Sequence, residues 1–136
     1  MFIGHGRSHD WRTLKDALHE HHGFEVETFE TKPRAGYTIP EVIDGMARTN
    51  TLAIIILTAE DEQADGSVRA RENVVHEVGF FQGRLGLKRA ILVMEDGVSE
   101  FSNIHGIVHL PYKNIREVVG EVLGIIRREF PHAIGR

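Results

Sequence analysis

Leu52-Ala53-Ile54-Ile55-Ile56-Leu57 is an unbroken apolar run. It constrains the fold more than any other stretch of the chain. A strand with one solvated face alternates apolar and polar residues, so a strand that is apolar throughout needs cover on both faces. The run predicts a central parallel strand, and it is far too short to span a membrane. Ala90-Ile91-Leu92-Val93, within Arg89–Met94, predicts a second strand of the same kind, broken by Glu95-Asp96-Gly97.

The remaining elements fall around these two. Phe2-Ile3 begins a short buried strand that ends in Gly4-His5-Gly6-Arg7-Ser8. Residues 10–22 read as a helix with Trp11, Leu14, Ala17 and Leu18 on its apolar face and Gly23 at the C-cap. Phe24-Glu25-Val26-Glu27-Thr28-Phe29 alternates with period two, as a half-buried strand near a sheet edge does. Pro33 and Gly36 mark residues 31–37 as a loop. Thr38 can cap a helix over 39–47, with Pro40 in its first turn and Glu41 three residues after the cap. A polar loop over 58–68 leads into a helix over 69–86, on which Val74, Val78, Phe81 and Leu85 form one stripe. Residues 101–105 are irregular, with room for one helical turn. Ile107-Val108-His109-Leu110 reads as a last strand stopped by Pro111, and Asn114 can cap a final helix to about Glu129.

Five strands alternating with helices imply an α/β fold with a parallel sheet covered on both faces, because right-handed crossovers need helices. The common doubly wound order for five strands is 2-1-3-4-5, which opens a crevice at the carboxyl ends of the first and third strands. Function is therefore expected on residues 4–9 and 58–72 and on the helix after them.

The 136 residues suit one domain with a single core. Hydrophobic content of 41% and charged content of 26% are those of an ordinary soluble globular protein. The chain has no cysteine, which excludes disulfides and thiolate metal sites, and nothing argues for an oxidising compartment. A cytoplasmic location is expected. The net charge of −4 gives no general attraction to nucleic acid or anionic membranes. The first strand has almost no lead-in before Gly4. Residues 1–136 are accordingly expected to be one domain cut from a longer protein, or a standalone domain with a short first strand.

Glu77 falls at the border between core and solvent, one turn inside the 69–86 helix, with Asn73 a turn earlier on the same edge. Arg69 and Arg71 lie at or before the helix start. An acid beside buried surface, with amide and guanidinium donors near a helix N-terminus, can hold an anionic, sugar-containing ligand. The same spacing fits a Glu77 paired with a neighbouring base and arginines that form a solvated helix start. In the first loop the glycines Gly4 and Gly6 allow close backbone approach, and Arg7 offers a fork for an anion. Tyr37 can stack on a base or cover the core. Trp11 is expected in the core, Glu72 beside the helix dipole, and His76 on the surface facing away from Glu77. The nine histidines show no ligand spacing with accompanying carboxylates, so no metal is expected.

These residues together carry a resemblance. Phe2-Ile3-Gly4-His5-Gly6-Arg7-Ser8, Gly36-Tyr37-Thr38-Ile39, Ile56-Leu57-Thr58-Ala59-Glu60-Asp61 and, above all, Arg69 through Gly79 (RARENVVHEVG) resemble the bacterial TIR-like domains (Toll/interleukin-1 receptor homology). So do Gln82-Gly83-Arg84-Leu85-Gly86 and Glu100 through Gly106 (EFSNIHG). The group in question comprises predicted nucleotide-binding proteins found in antiphage effectors. The resemblance implies a flavodoxin-like TIR fold and, in active members, cleavage of NAD+ at the nicotinamide–ribose bond, with NAD+ as substrate and no cofactor. The family's essential glutamate matches Glu77. Residues 31–39 match the segment that gates the site and makes contacts between protomers, which implies self-association. A sensor domain on the same longer chain is the implied partner. The first loop, with His5, Gly6, Arg7 and Ser8, departs from the serine-rich loop of many relatives.

The substrate-binding set expected on this basis is Gly4, His5, Gly6, Arg7, Ser8, Arg34, Tyr37, Arg71 and Asn73, with Arg7, Arg34, Arg69 and Arg71 as candidate diphosphate ligands. Nicotinamide leaves NAD+ as a neutral molecule and needs no protonation, so one carboxylate can replace the usual pair. Two other readings stay open: a non-enzymatic TIR interaction module with a structural Glu77, and a nucleoside deoxyribosyltransferase-like enzyme with a glutamate nucleophile.

Overall fold

The computed structural model describes residues 1–70, 72–99 and 107–132, leaving aside the side chain of Asn73. Phe2–Gly4 forms β1, Ala53–Leu57 β2, Ala90–Glu95 β5 and Leu110–Tyr112 β6. They make one parallel sheet in the order β1-β2-β5-β6. Every residue of β2 is buried, as a strand flanked by paired neighbours and covered on both faces requires. Phe2, Ala53, Ile55, Leu57, Leu92 and Met94 point to one face, where α2 (Ile39–Thr49) and α3 (Glu72–Leu85) cover them. Ile3, Ile54, Ile56, Val93 and Tyr112 point to the other, beneath α1 (Asp10–Asp16) and α4 (Val119–Glu129). This is an α/β architecture consistent with the flavodoxin-like TIR fold.

The expected helices form with small changes. Helix α1 widens into a π-helical turn over Ala17–His21 and ends at Gly23, whose φ of 73° only glycine adopts freely. Thr38 and Glu41 make a reciprocal capping box at the start of α2. Asn114 and Glu117 make another, ahead of a single 3-10 turn that leads into α4. Val74, Val78 and Phe81 of α3 are buried, and Leu85 packs at the margin of the same core.

Three expectations need correction. The five-strand sheet has four strands among the described residues, because 24–29 does not extend as a strand. One parallel bridge, Phe2 with Glu27, sets that segment beside β1, through the Ile3 and Glu27 backbone N–H groups. Thr28 then turns the chain: its hydroxyl accepts from the Glu30 N–H and its carbonyl from the Thr31 hydroxyl, which competes with the ladder. Second, the polar loop over 58–68 holds an antiparallel hairpin, β3 (Asp61–Glu62) with β4 (Val68–Arg69). Arg69 is thus a strand residue, and the helix expected over 69–86 is α3, Glu72–Leu85. Third, the last strand runs Leu110–Tyr112 and includes Pro111, which is tolerated because β6 is an edge strand. The expected turn over 101–105 lies outside the described residues.

Candidate functional site

A pocket of about 730 Å³ opens at the carboxyl end of β1, between α2 and α3. It sits to one side of the expected crevice between β1 and β2. Strand β1 and its exit supply Phe2, Ile3, Gly4, His5 and Gly6; Phe29 and Glu30 follow; α2 adds Ile39, Pro40 and Ile43. Helix α3 adds Glu72, Val74, His76, Glu77 and Phe80. The floor is aromatic: Phe2 stacks on Phe81, ring centroids 4.7 Å apart, and Phe81 meets Phe80 edge-on at 5.7 Å.

Glu77 comes to this pocket because α3 crosses close above the end of β1. The approach needs a glycine: a Cβ on Gly4 would stand 2.6 Å from Glu77 Oε2. The pocket's ionisable lining is Glu30, Glu72, Glu77, His5 and His76, and among the described residues no lysine or arginine lines it. An apolar cavity with three carboxylates in its described lining favours a flat cationic or partly cationic ligand.

His5 is held on three sides. Its ring stacks on Trp11 with centroids 4.4 Å apart. Nδ1 lies 2.7 Å from the Gly6 carbonyl oxygen and Nε2 3.0 Å from Glu30 Oε2. Both neighbours are acceptors, so the ring donates to both only when it carries two protons. Burial acts to raise the Glu30 carboxyl, but the hydrogen bond and charge of His5 outweigh it and hold the group below the usual carboxylate range.

The structure gathers Gly4, His5, Gly6 and Glu77 around one cavity, and places Arg7, Ser8, Arg34 and Tyr37 outside its lining. Arg7 points outward, 64% exposed, with Nη1 3.9 Å from Asp61. The Ser8 hydroxyl accepts from the Asp10 N–H beside α1. Arg34 donates from Nε to the Phe29 carbonyl at 3.1 Å and lies against the Phe29 ring, one residue removed from the pocket. Tyr37 is 68% exposed, which removes the core-covering alternative. Arg69 lies in β4, outside the pocket lining. Arg71 and the Asn73 side chain lie outside the described residues. Trp11 is buried as expected, while His76 is exposed and stands 3.7 Å from Glu72, one helical turn away, at the pocket rim.

Sequence reasoning missed Glu30 and Glu60. Glu30 closes the alternating 24–29 segment, and its link to His5 spans 25 residues. Glu60 precedes the hairpin and reaches back 53 residues to accept from the Arg7 N–H, and from the Ser8 N–H at 3.2 Å. Only the Glu60-Asp61 pair at the end of a family-like segment hinted at it.

Comparison with known proteins bears on this arrangement. The family described as "CAP12/Pycsar effector protein, TIR domain" matches residues 1–114. The uncharacterized protein YuaY of Escherichia coli (strain K12) is 25% identical over 114 residues, covering 80% of this chain and 38% of that protein. The Pycsar effector protein BcPycTIR of Burkholderia cepacia is 50% identical over 44 residues, covering 31% of this chain and 14% of that protein. The matches thus span well under half the length of these curated relatives.

Proposed function

The chain belongs to the CAP12/Pycsar effector TIR domain family, and from that premise we propose that it is the NAD+-cleaving domain of an antiphage effector. The observation that carries the reading is Glu77 in an apolar, acidic pocket free of lysine and arginine among the described residues. In NAD+ the nicotinamide ring is a pyridinium cation, which such a pocket accepts. As the glycosidic bond breaks, the bonding pair moves to the ring nitrogen and positive charge passes to the ribose. The Glu77 carboxylate stabilises that oxocarbenium-like charge. Water then attacks the anomeric carbon and loses a proton, giving ADP-ribose, nicotinamide and H+. Nicotinamide is neutral once formed, and an acidic pocket no longer holds it by charge.

Self-assembly is part of the proposal. Tyr37 and Ile39, 68% and 58% exposed, stand on the segment beside the pocket mouth and offer apolar contact to a second copy. A sensor on a longer chain would drive that assembly, in the cytoplasm where the substrate is. No helix among the described residues is long and apolar enough to cross a membrane.

The test is nicotinamide release from NAD+ over rising protein concentration, beside Glu77→Gln. Release that climbs faster than linearly and disappears in a folded Glu77→Gln variant is the expected result. A folded Glu77→Gln variant that retains full release sinks the assignment. Release of a base from nucleosides, with NAD+ untouched, favours the deoxyribosyltransferase reading.

A further inference from the structure

If the pocket takes the nicotinamide end of a dinucleotide, the diphosphate lies toward its rim. Among the described residues no basic side chain lines the pocket, and Arg7 faces Asp61 outside it. The oriented donors beside Gly6 are the backbone N–H groups of Arg7 and Ser8. Successive N–H groups that converge on one point form an anion cradle of the kind that holds phosphate. Here the anion is the chain's own: Glu60 Oε1 accepts from both.

The seat has further marks of an anion site. A Cβ on Gly6 would stand 2.2 Å from Glu60 Oε2, so glycine at this position makes the room the carboxylate fills. Glu60 Oε2 is buried with no hydrogen-bond partner among the described residues, so the carboxylate uses only one of its oxygens. Its backbone is anchored separately, with the Glu60 N–H donating to the Arg69 carbonyl at 3.1 Å. The side chain can therefore leave by rotation while the hairpin stays in place.

We propose that Glu60 is an internal anion seated where the substrate's diphosphate binds, so that substrate must displace it and its presence weakens binding. The inference rests on the NAD+ reading for the identity of the ligand, and on the cradle alone for its chemistry. A dinucleotide's diphosphate replaces one carboxylate oxygen on the two N–H groups. The displaced Glu60 swings into solvent beside the exposed hairpin. Removing its charge weakens the competition, because a neutral acceptor holds the two N–H groups less tightly, and ends the repulsion toward the incoming phosphates.

The test compares the parent chain with Glu60→Gln by calorimetry, using ADP-ribose, inorganic pyrophosphate and nicotinamide riboside as probes. Two charge-assisted hydrogen bonds given up by the carboxylate predict that ADP-ribose and pyrophosphate bind about tenfold tighter to the variant. Nicotinamide riboside carries no diphosphate and is expected to bind both proteins alike. Unchanged or weaker binding of the phosphates by a folded variant overturns the proposal, as does equal tightening of nicotinamide riboside or no phosphate binding by either protein. If Glu60→Gln fails to fold, Glu60→Ala, which removes both the charge and the acceptor from the cradle, carries the same expectation. Because binding needs no turnover, tightening keeps the cradle whatever the release assay shows, and a folded Glu77→Gln variant with full release sinks the NAD+ reading while leaving the cradle. Release without tightening keeps the NAD+ reading and sinks the cradle.

Discussion

Gly4→Ala separates the position of Glu77 from its presence. Gly4 ends β1 opposite Ile55, and its φ is not positive, so alanine suits the backbone. The conflict lies in space alone. The new Cβ would meet Glu77 Oε2 at 2.6 Å and Phe2 Cε1 at 3.2 Å, while Ile55 Cγ1 at 3.6 Å is an ordinary contact. Phe2 is locked by its stack on Phe81, so it yields little. The Glu77 carboxylate is the far end of a longer side chain that lines the pocket, so it is the group that shifts. Retreat to ordinary van der Waals contact displaces it by on the order of 1 Å, and a misplacement of that size costs roughly 10²-fold in rate. That corresponds to about 2.7 kcal/mol of transition-state stabilisation. The cost to folding is that of mild overpacking, about 1–2 kcal/mol. The assay is kcat and KM for nicotinamide release, read beside a thermal melt of the same preparation. The loss is expected in kcat, with melting only modestly lowered. A folded Gly4→Ala protein with kcat within about threefold of the parent refutes the argument. A second check is the cycle with Glu77→Asp: the shorter acid relieves the clash, so it is expected to cost less in the Gly4→Ala background than in the parent.

Two further predictions concern the pocket floor and its charged wall. Phe81→Ala removes a fully buried ring that supports Phe2, and is expected to cost about 3–5 kcal/mol in urea unfolding; a loss below about 1 kcal/mol contradicts the packing described. His5→Gln withdraws the group that holds Glu30 below its ordinary value of 4.5. A depressed carboxyl adds stability that is complete above the unfolded value and is lost as pH falls through the lower folded value. Carboxyl titration by NMR is therefore expected to find Glu30 below 4.5 in the parent and higher in the variant, and an unmoved Glu30 counts against the pairing.

The family-level resemblance and four residues that line the candidate pocket, Gly4, His5, Gly6 and Glu77, were legible in the chain. Residues 52–57 and 90–93 announced themselves as doubly covered strands because burial on both faces leaves no polar position. Thr38 with Glu41, and Gly23 after its helix, could be read because caps are set within a few residues. Glu77 and the glycines of the first loop were placed at one end of the sheet by winding order alone. These signals are local, or follow from chain order.

What the tertiary structure decided depends on groups far apart in sequence. Residues 24–29 carry the alternation of a strand, yet a three-residue β1 gives them little edge to pair with, and Thr28 bends them away after one bridge. The expected arginine clamp did not assemble at the pocket among the described residues: Arg7 turned outward, Arg34 packed on Phe29, and Arg69 was drawn into a hairpin. The contacts that fix the first loop join His5 to Glu30 and Ser8 to Glu60, across 25 and 52 residues. No periodicity encodes such pairs. They exist because the parallel sheet brings the ends of its strands, and the loops that leave them, to one edge of the molecule.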